Sequence, residues 1–208
     1  MLFRSGASLL VFNGRDGEWQ AEVAEAGRRG GVLVAREMTA PLRLPPDLWL
    51  MFAPIKKART DFIVEKAVEL GVARIVPVQT RFTNADRLRP DKLRAHAVEA
   101  AEQCGATVVP EVADMVALDR VLAGWGADRR ILWCDEGLAG QGNSLATLTP
   151  GPWAVLIGPE GGFSTDEQQR LRAMDFVTPI SLGPRILRAD TAAVAALVLW
   201  QAALGDWR

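Results

Sequence analysis

Histidine and cysteine are scarce in this 208-residue chain, which has one histidine and two cysteines. A structural zinc site takes four Cys or His ligands, so the composition argues against one and we expect no bound metal. Cys104 and Cys134 form no disulfide framework, and a chain of this length does not need one. Neither lies in a C-x-x-C pair, so we expect both to be buried apolar residues. This cysteine usage favours the cytoplasm.

Long hydrophobic runs and an excess of one charge are also absent. The most apolar stretch, 192–204, is interrupted only by Gln201 and is shorter than the roughly 20 residues that span a bilayer. It predicts a helix buried on several sides, in the core or at a subunit interface. The first residues lack a signal-peptide pattern, so no membrane partner is expected. Net charge is −1, which gives no global signature of nucleic-acid binding.

Several motifs that would indicate a nucleotide or nucleophile site are missing. There is no G-x-x-x-x-G-K-[ST], and no G-x-G-x-x-G follows an early strand, which disfavours P-loop nucleotidases and Rossmann enzymes. We interpret His96 as an ordinary helix residue rather than a catalytic base. Ser164 fits an S-x-x-E capping box with Glu167 and is better explained as a helix cap than as a nucleophile.

The chain is predicted to form a small β domain followed by an α/β domain. Asn13-Gly14 and Asp16-Gly17 predict a hairpin, and the prolines at 41, 45 and 46 place the boundary between domains 1–45 and 46–208. Helix-length segments then alternate with strands, which predicts a parallel sheet covered on both faces. The predicted strands are 48–54, 73–80, 129–136, 153–158 and 176–183, and the predicted helices are 61–70, 91–104, 115–125, 164–174 and 190–204. In the first of these helices, Phe62, Ile63 and Leu70 are expected to face the sheet.

Two loops follow predicted strands, where parallel sheets bind ligands. GPEGGFS (158–164) combines three glycines with the positive end of a helix, and SLGPRILRAD (181–190) places Arg185 and Arg188 beside Asp190. One arginine could pair with Asp190 and leave the other for an anion. Taken alone, each loop is equally well explained as a tight turn or a set of surface ion pairs. A local net charge of +5 between Pro54 and Arg94 can follow a phosphate backbone or form a solvated face.

Four segments together carry a resemblance to a known family. They are KKARTDFIVEKAVELGVARIVP (56–77), EAAEQCG (99–105), GPEGGFSTDE (158–167) and SLGPRILRADTA (181–192). In this order and at these distances, they make the chain resemble the ribosomal RNA small subunit methyltransferase E family of the knotted SPOUT class. The resemblance extends from about Phe3 to the carboxyl terminus.

The resemblance implies an architecture and an activity. It implies a carboxyl-terminal trefoil knot, which general topology rules would not have predicted, and a PUA-like RNA-binding barrel before it. It also implies a homodimer that uses the last helix. The implied cofactor is S-adenosylmethionine, and the implied reaction is methylation at N3 of a decoding-region uridine of 16S rRNA in the small ribosomal subunit.

The resemblance also implies the site residues. Arg188 is expected to stabilise the uracil anion, and Glu160 either shapes the site or only holds the glycine loop. The implied cofactor-binding residues are Leu156, Gly158, Glu160, Gly161, Gly162, Leu182, Gly183, Ile186 and Leu187. The implied RNA-binding residues are Lys56, Arg59, Lys66, Arg81, Arg94 and Arg185. Residue types alone do not name the acceptor of the N3 proton.

This sequence departs from the family pattern at three places. Ala106 stands where an arginine normally follows EQCG, and Arg188-Ala189-Asp190 replaces the usual R-T-E. The first residues start where relatives continue from an earlier segment. This last departure predicts an incomplete barrel or a start assigned too far downstream. Two other functions stay open. They are a SPOUT methyltransferase with a different RNA target, and a non-catalytic RNA-binding protein of the same fold; a nucleotide hydrolase is disfavoured. An assembled subunit is favoured over free RNA as substrate, because recognition would rest on shape.

Overall fold

The computed structural model describes residues 4–84, 88–141, 145 and 148–207. Their contacts divide the chain into two compact units, Met1–Leu44 with Ala101–Val109, and Pro45–Ala100 with Pro110–Arg208. The sequence placed this boundary after residue 45 and assigned 101–109 to the second domain. The structure groups that segment with the first unit, where Thr107 Oγ1 accepts a hydrogen bond from the Arg43 amide at 2.9 Å.

The first unit contains an antiparallel sheet with strand order β1-β2-β3. Its strands are β1 (Ser8–Phe12), β2 (Glu18–Gly27) and β3 (Gly30–Ala40). Between β1 and β2, the Asn13 carboxamide oxygen accepts hydrogen bonds from the amides of Arg15 and Asp16, both at 2.9 Å. Gly14 and Gly17 adopt positive φ angles in this turn. The predicted hairpin is confirmed.

The second unit is built on a parallel sheet. Its strands are β4 (Leu48–Phe52), β5 (Arg74–Gln79), β6 (Glu111–Val112), β7 (Val116–Ala117), β8 (Arg130–Cys134), β9 (Trp153–Ile157) and β10 (Val177–Ile180). They lie in the order β10-β8-β9-β4-β5-β6, and β7 also pairs with β5. Every pairing among these strands is parallel. The predicted α/β class with a parallel sheet is confirmed.

Helices cover both faces of this sheet. They are α1 (Lys57–Glu69), α2 (Pro90–Cys104), α3 (Leu118–Ala123), α4 (Thr165–Arg172) and α5 (Ala189–Leu204). Leu118 of α3 and Leu171 of α4 join a core cluster with Met51 on one face of β4. The neighbouring Leu50 is fully buried and points to the opposite face, since strand side chains alternate. Helix α5 packs against both α1 and β9.

Three local predictions were wrong. The helix expected over 115–125 starts only at Leu118, because Val116 and Ala117 pair with β5. Phe62 is 38% exposed while Ile63 is buried, because the buried stripe of α1 runs through Ile63, Val64, Ala67 and Val68 and leaves Phe62 on the opposite side of the helix. Cys104 is exposed, whereas Cys134 is buried as expected.

The polar interruption in the last helix has a structural explanation. Gln201 is completely buried. Its amide nitrogen donates to the carbonyl oxygen of Leu70, where α1 ends, at 2.6 Å, and its amide oxygen accepts from the Asp206 amide at 3.1 Å. Gln201 therefore connects the end of α5 to the end of α1. Within the described ranges, no helix is long and apolar enough to cross a membrane.

Candidate functional site

A pocket of about 680 Å³ lies where β8, β9 and β10 end at their carboxyl sides. Most of the residues predicted to bind a cofactor line it. These are Gly158, Glu160, Gly161, Gly162, Leu182, Gly183, Ile186 and Leu187. The ninth, Leu156, does not line the pocket, because it is buried in the core cluster between the sheet and the helices α3 and α4.

The glycine loop after β9 is shaped by close packing. Gly162 has φ +69°, and a Cβ there would lie 2.1 Å from Oε1 of Glu136. A Cβ on Gly158 would lie 2.7 Å from the Phe163 ring. The positive φ favours glycine at 162, although the exposed Glu136 side chain could move aside, and the Phe163 ring of the same loop excludes a larger residue at 158. From the sequence, the glycines of this loop were explained only by the close approach of a ligand to the backbone; packing inside the protein is a second reason for them.

The loop ends in the predicted helix cap. The Ser164 hydroxyl accepts from the Glu167 amide at 3.3 Å, and the Glu167 carboxylate accepts from the Ser164 amide at 2.8 Å, which confirms the capping box. The same carboxylate also accepts from the Arg81 amide at 2.8 Å. Glu167 therefore fixes both the start of α4 and the loop that follows β5.

The loop after β10 forms the opposite wall. Gly183 adopts φ +107°, and its carbonyl oxygen accepts from the Gly140 amide at 3.0 Å. Arg188 has extended backbone angles and directly precedes α5. The first turns of α5 then line the pocket with Ala189 and Ala192, whose small side chains leave room for a ligand beside the helix.

Arg59 of α1 joins both walls of the pocket. Its Nη1 lies 2.8 Å from Oε1 of Glu160 in the glycine loop, and its Nε lies 3.7 Å from Oδ2 of Asp190 in α5. The sequence had instead suggested Arg185 or Arg188 as the partner of Asp190. Among the described residues, neither of those two arginines forms an ion pair within 4.0 Å. Two guanidinium groups at the pocket are thus available for an anion.

Two acidic residues that line the pocket, Asp135 and Glu136, were not among the predicted site residues, because the predicted strand 129–136 included them. Asp135 is buried, and its carboxylate accepts from the Gly137 amide at 2.9 Å and from Arg172 Nη2 at 2.6 Å. Glu136 is exposed and lines the pocket. The strand ends at Cys134, and burial raises the pKa of the Cys134 thiol well above its usual range. Ligands bind beyond the carboxyl ends of parallel strands. A predicted strand that ended at Cys134 would therefore have indicated Asp135 and Glu136 as candidate site residues.

The predicted RNA-binding residues divide into two groups. Lys56, Arg59 and Arg185 line the pocket. The others lie outside its lining: Lys66 pairs with Glu69 at 2.6 Å, Arg94 pairs with Asp114 at 2.9 Å, and the Arg81 amide bonds to Glu167. In the part of the chain that the structure describes, no cluster of three or more His, Cys, Asp or Glu side chains is placed to hold a metal ion.

Sequence comparison connects this architecture to known proteins. The family model described as RNA methyltransferase domain matches residues 42–201. The chain is 28% identical over 192 residues to the ribosomal RNA small subunit methyltransferase E of Rickettsia conorii, covering 91% of this chain and 78% of that one. It is 30% identical over 161 residues to the protein of the same name from Aquifex aeolicus, covering 74% and 68%.

Solved structures share the fold over nearly the whole chain. A protein from Legionella pneumophila, solved in complex with S-adenosylmethionine as cofactor, has a TM-score of 0.84 and 29% identity, and covers 98% of this chain and 86% of its own. The ribosomal RNA small subunit methyltransferase E from Neisseria gonorrhoeae, bound to S-adenosylmethionine, has a TM-score of 0.80 and 25% identity, with 99% and 86% covered.

Proposed function

The chain belongs to the ribosomal RNA small subunit methyltransferase E family, and from this membership we propose that it transfers the methyl group of S-adenosylmethionine to N3 of a decoding-region uridine in 16S rRNA. The observation that supports the proposal most strongly is the pocket at the ends of β8, β9 and β10, which two family-specific loops, 158–164 and 181–190, enclose. The small ribosomal subunit is the proposed substrate, and the cytoplasm, where such subunits are assembled, is the proposed compartment.

The pocket suits the size and chemistry of the proposed cofactor. Its volume of about 680 Å³ falls in the range of small-molecule sites. Apolar side chains such as Ile180, Leu182 and Leu187 can contact an adenine ring, while exposed cationic and acidic groups offer partners to the methionine carboxylate and ammonium. When bound, S-adenosylmethionine supplies a methyl group already activated by its sulfonium, so this chemistry requires no metal.

Arg188 is proposed to stabilise the uracil anion. N3 of uracil is a poor nucleophile until its proton leaves, so the site must favour the anion and align it. The Arg188 side chain is exposed at the pocket and has no ion-pair partner among the described residues. Its guanidinium is therefore free to meet negative charge that develops on the base.

Glu160 is proposed to hold the glycine loop in place. Of the two roles considered for it, its contact with Arg59 at 2.8 Å supports the structural one. A carboxylate that is already paired with a guanidinium is held in place and is less available to the substrate. Arg59, in turn, is occupied by Glu160 and Asp190 and is proposed as a positioning residue rather than a phosphate contact, which leaves Lys56 and Arg185 as the RNA contacts at the pocket.

The larger architecture is proposed on the same basis. The two loops that enclose the pocket are proposed to form the trefoil knot, and residues 1–45 are proposed to form a PUA-like RNA-binding domain. Two copies of the chain are proposed to pack through α5. Leu199 on this helix is 38% exposed, which gives the helix an apolar contact on its outer side.

The decisive experiment uses small ribosomal subunits that lack the modification. The purified protein is incubated with them and with methyl-labelled S-adenosylmethionine, and the nucleosides are analysed by mass spectrometry. We expect 3-methyluridine. A different methylated nucleoside would indicate another target, and cofactor binding without transfer would indicate another RNA. Absence of cofactor binding would support the non-catalytic alternative.

A further inference from the structure

An exposed phenylalanine borders the pocket from the loop after β5. Phe82 is 49% exposed. It lies against the glycine loop, since a Cβ on Gly161 would meet the Cβ of Phe82 at 3.4 Å. Gly161 itself lines the pocket. A large aromatic side chain therefore stands in solvent next to the place where the methyl group is proposed to be transferred.

Hydrogen bonds on both sides of Phe82 hold its loop in place. The Thr80 amide donates to Thr83 Oγ1 at 2.8 Å, and the Thr83 amide donates to the Thr80 carbonyl oxygen at 3.2 Å. The Arg81 amide donates to Glu167 at 2.8 Å. The backbone around Phe82 is thus fixed although its ring is not buried. An ordered, exposed ring loses little conformational entropy when a planar ligand stacks on it.

Arg81, the residue before Phe82, adds a cation to the same loop. It is exposed, and among the described residues it has no ion-pair partner within 4.0 Å. The contact with Glu167 uses only its backbone amide. An exposed aromatic ring and an exposed cation on one loop form a combination that binds single-stranded nucleic acid, in which the ring stacks on a base and the cation meets the phosphate.

We infer that Phe82 stacks on a base of the substrate RNA at the mouth of the pocket, with Arg81 contacting the neighbouring phosphate. The inference rests on the proposed function, because it takes RNA as the substrate. It assigns Phe82 to substrate binding and not to cofactor binding, since Phe82 contacts the loop from outside the pocket lining.

The test compares three variants with a matched control. Phe82→Ala removes the ring, Phe82→Leu keeps an apolar side chain without a π face, and Phe82→Trp keeps a larger ring. Phe62→Ala is the control, because Phe62 is a phenylalanine of similar exposure, 38%, on α1 that does not line the pocket. For each protein, filter binding gives the affinity for unmodified small subunits and for protein-free 16S rRNA, and calorimetry gives the affinity for S-adenosylmethionine.

We expect Phe82→Ala to weaken RNA binding roughly 5- to 150-fold, the effect of losing one base–aromatic stack. Phe82→Leu should share most of the loss, and Phe82→Trp should bind like the wild type. Affinity for S-adenosylmethionine should change less than about twofold in all of them, and Phe62→Ala should match the wild type. Melting temperatures verify that every variant is folded.

Other results would overturn the inference. Wild-type affinity for RNA in Phe82→Ala or in Phe82→Leu would each exclude base stacking. If the wild type binds subunits and protein-free rRNA equally well, a loss seen only with subunits would also exclude it and would indicate a ribosomal protein as partner. The inference would also be overturned if the wild type bound neither unmodified small subunits nor protein-free 16S rRNA. Methyl transfer by the wild type tests the proposed reaction separately. Weakened RNA binding by Phe82→Ala, together with no methyl transfer by the wild type, would support base stacking and refute the proposed reaction.

Discussion

Arg188 and Arg59 both line the pocket, but their surroundings differ. Arg59 lies between two carboxylates, whereas Arg188 has no ion-pair partner among the described residues. A free guanidinium can respond to charge that appears only during the reaction, while a paired one is already occupied. Substitutions at the two positions should therefore affect different steps.

We expect Arg188→Ala to lower kcat for methyl transfer roughly a hundredfold to a thousandfold, as loss of a group that stabilises a developing anion does. Affinity for S-adenosylmethionine should remain within about threefold of the wild type. Transfer kinetics and calorimetry measure the two effects. If Arg188→Ala keeps the wild-type rate while Glu160→Ala abolishes transfer without loss of cofactor binding, the roles of the two residues are reversed.

Arg59→Ala should instead weaken cofactor binding. It leaves Glu160 and Asp190 without their cation, so the two walls of the pocket lose their common partner. We expect S-adenosylmethionine to bind roughly tenfold more weakly, while stability falls by only about 0–1 kcal/mol because the pair is partly exposed.

Calorimetry and thermal melts test this expectation for Arg59. Lys57→Ala is the matched control, since Lys57 belongs to the same helix and pairs with Asp61 at 2.5 Å outside the pocket. Arg59→Lys should retain part of the affinity. Equal cofactor affinity in Arg59→Ala and Lys57→Ala would refute the positioning role.

The two cysteines should react very differently with thiol reagents. Burial raises the pKa of Cys134, so its thiol stays neutral as the pH rises through the ordinary thiol range of about 8–9. Cys104 is exposed. A colorimetric thiol assay should count one reactive cysteine between pH 7 and 9 in the native protein and two after denaturation. Cys104→Ser should leave none in the native state.

At the scale of single elements, the capping box of α4 makes a separate prediction. Ser164→Ala removes the hydroxyl that accepts from the Glu167 amide and should lower the free energy of unfolding by about 1 kcal/mol. Ser164→Thr preserves a capping hydroxyl and should cost less. Denaturant titration measures both. A loss no larger than that of an exposed substitution such as Thr165→Ala would show that the cap contributes nothing.

Elements fixed by local chemistry could be predicted from the sequence. Asn13-Gly14 predicted the first hairpin, and Ser164 with Glu167 predicted the start of α4, because a turn or cap depends on residues within a few positions. The buried strands were also predictable, although their ends were not. Placing the end of β8 at residue 136 instead of Cys134 hid Asp135 and Glu136 from consideration.

Elements fixed by distant contacts could not be predicted. Val116 and Ala117 form a strand only because β5 lies beside them, and no pattern within 115–125 indicates that neighbour. Arg59 is 101 residues from Glu160 in sequence, so its place in the pocket was not visible either. The two family motifs located the pocket, while the ion pairs inside it emerged only from the fold.

For the whole molecule, binding of the proposed cofactor should raise the melting temperature. At a ligand concentration of about 100 times Kd, a ligand that binds only the folded state adds about 2.7 kcal/mol. For a domain of this size that corresponds to roughly 5–10 °C. Differential scanning fluorimetry with and without S-adenosylmethionine measures the shift, with ATP as a control ligand. A shift of the same size with ATP would argue against a specific cofactor site.

The hydrogen bond between Gln201 and the Leu70 carbonyl has a consequence for degradation of the protein. When a protease pulls on a chain to unfold it, resistance depends on the rate of unfolding, and local segments of a protein open with different free energies. A machine that pulls from the carboxyl-terminal side of α5 meets the hydrogen bond between Gln201 and Leu70 before it reaches the turns of α5 that line the pocket. Breaking it leaves a buried amide unsatisfied. We therefore expect the hydrogen bond of Gln201, the residue that interrupts the apolar stretch 192–204, to break before the turns of α5 that line the pocket can be unfolded from this side.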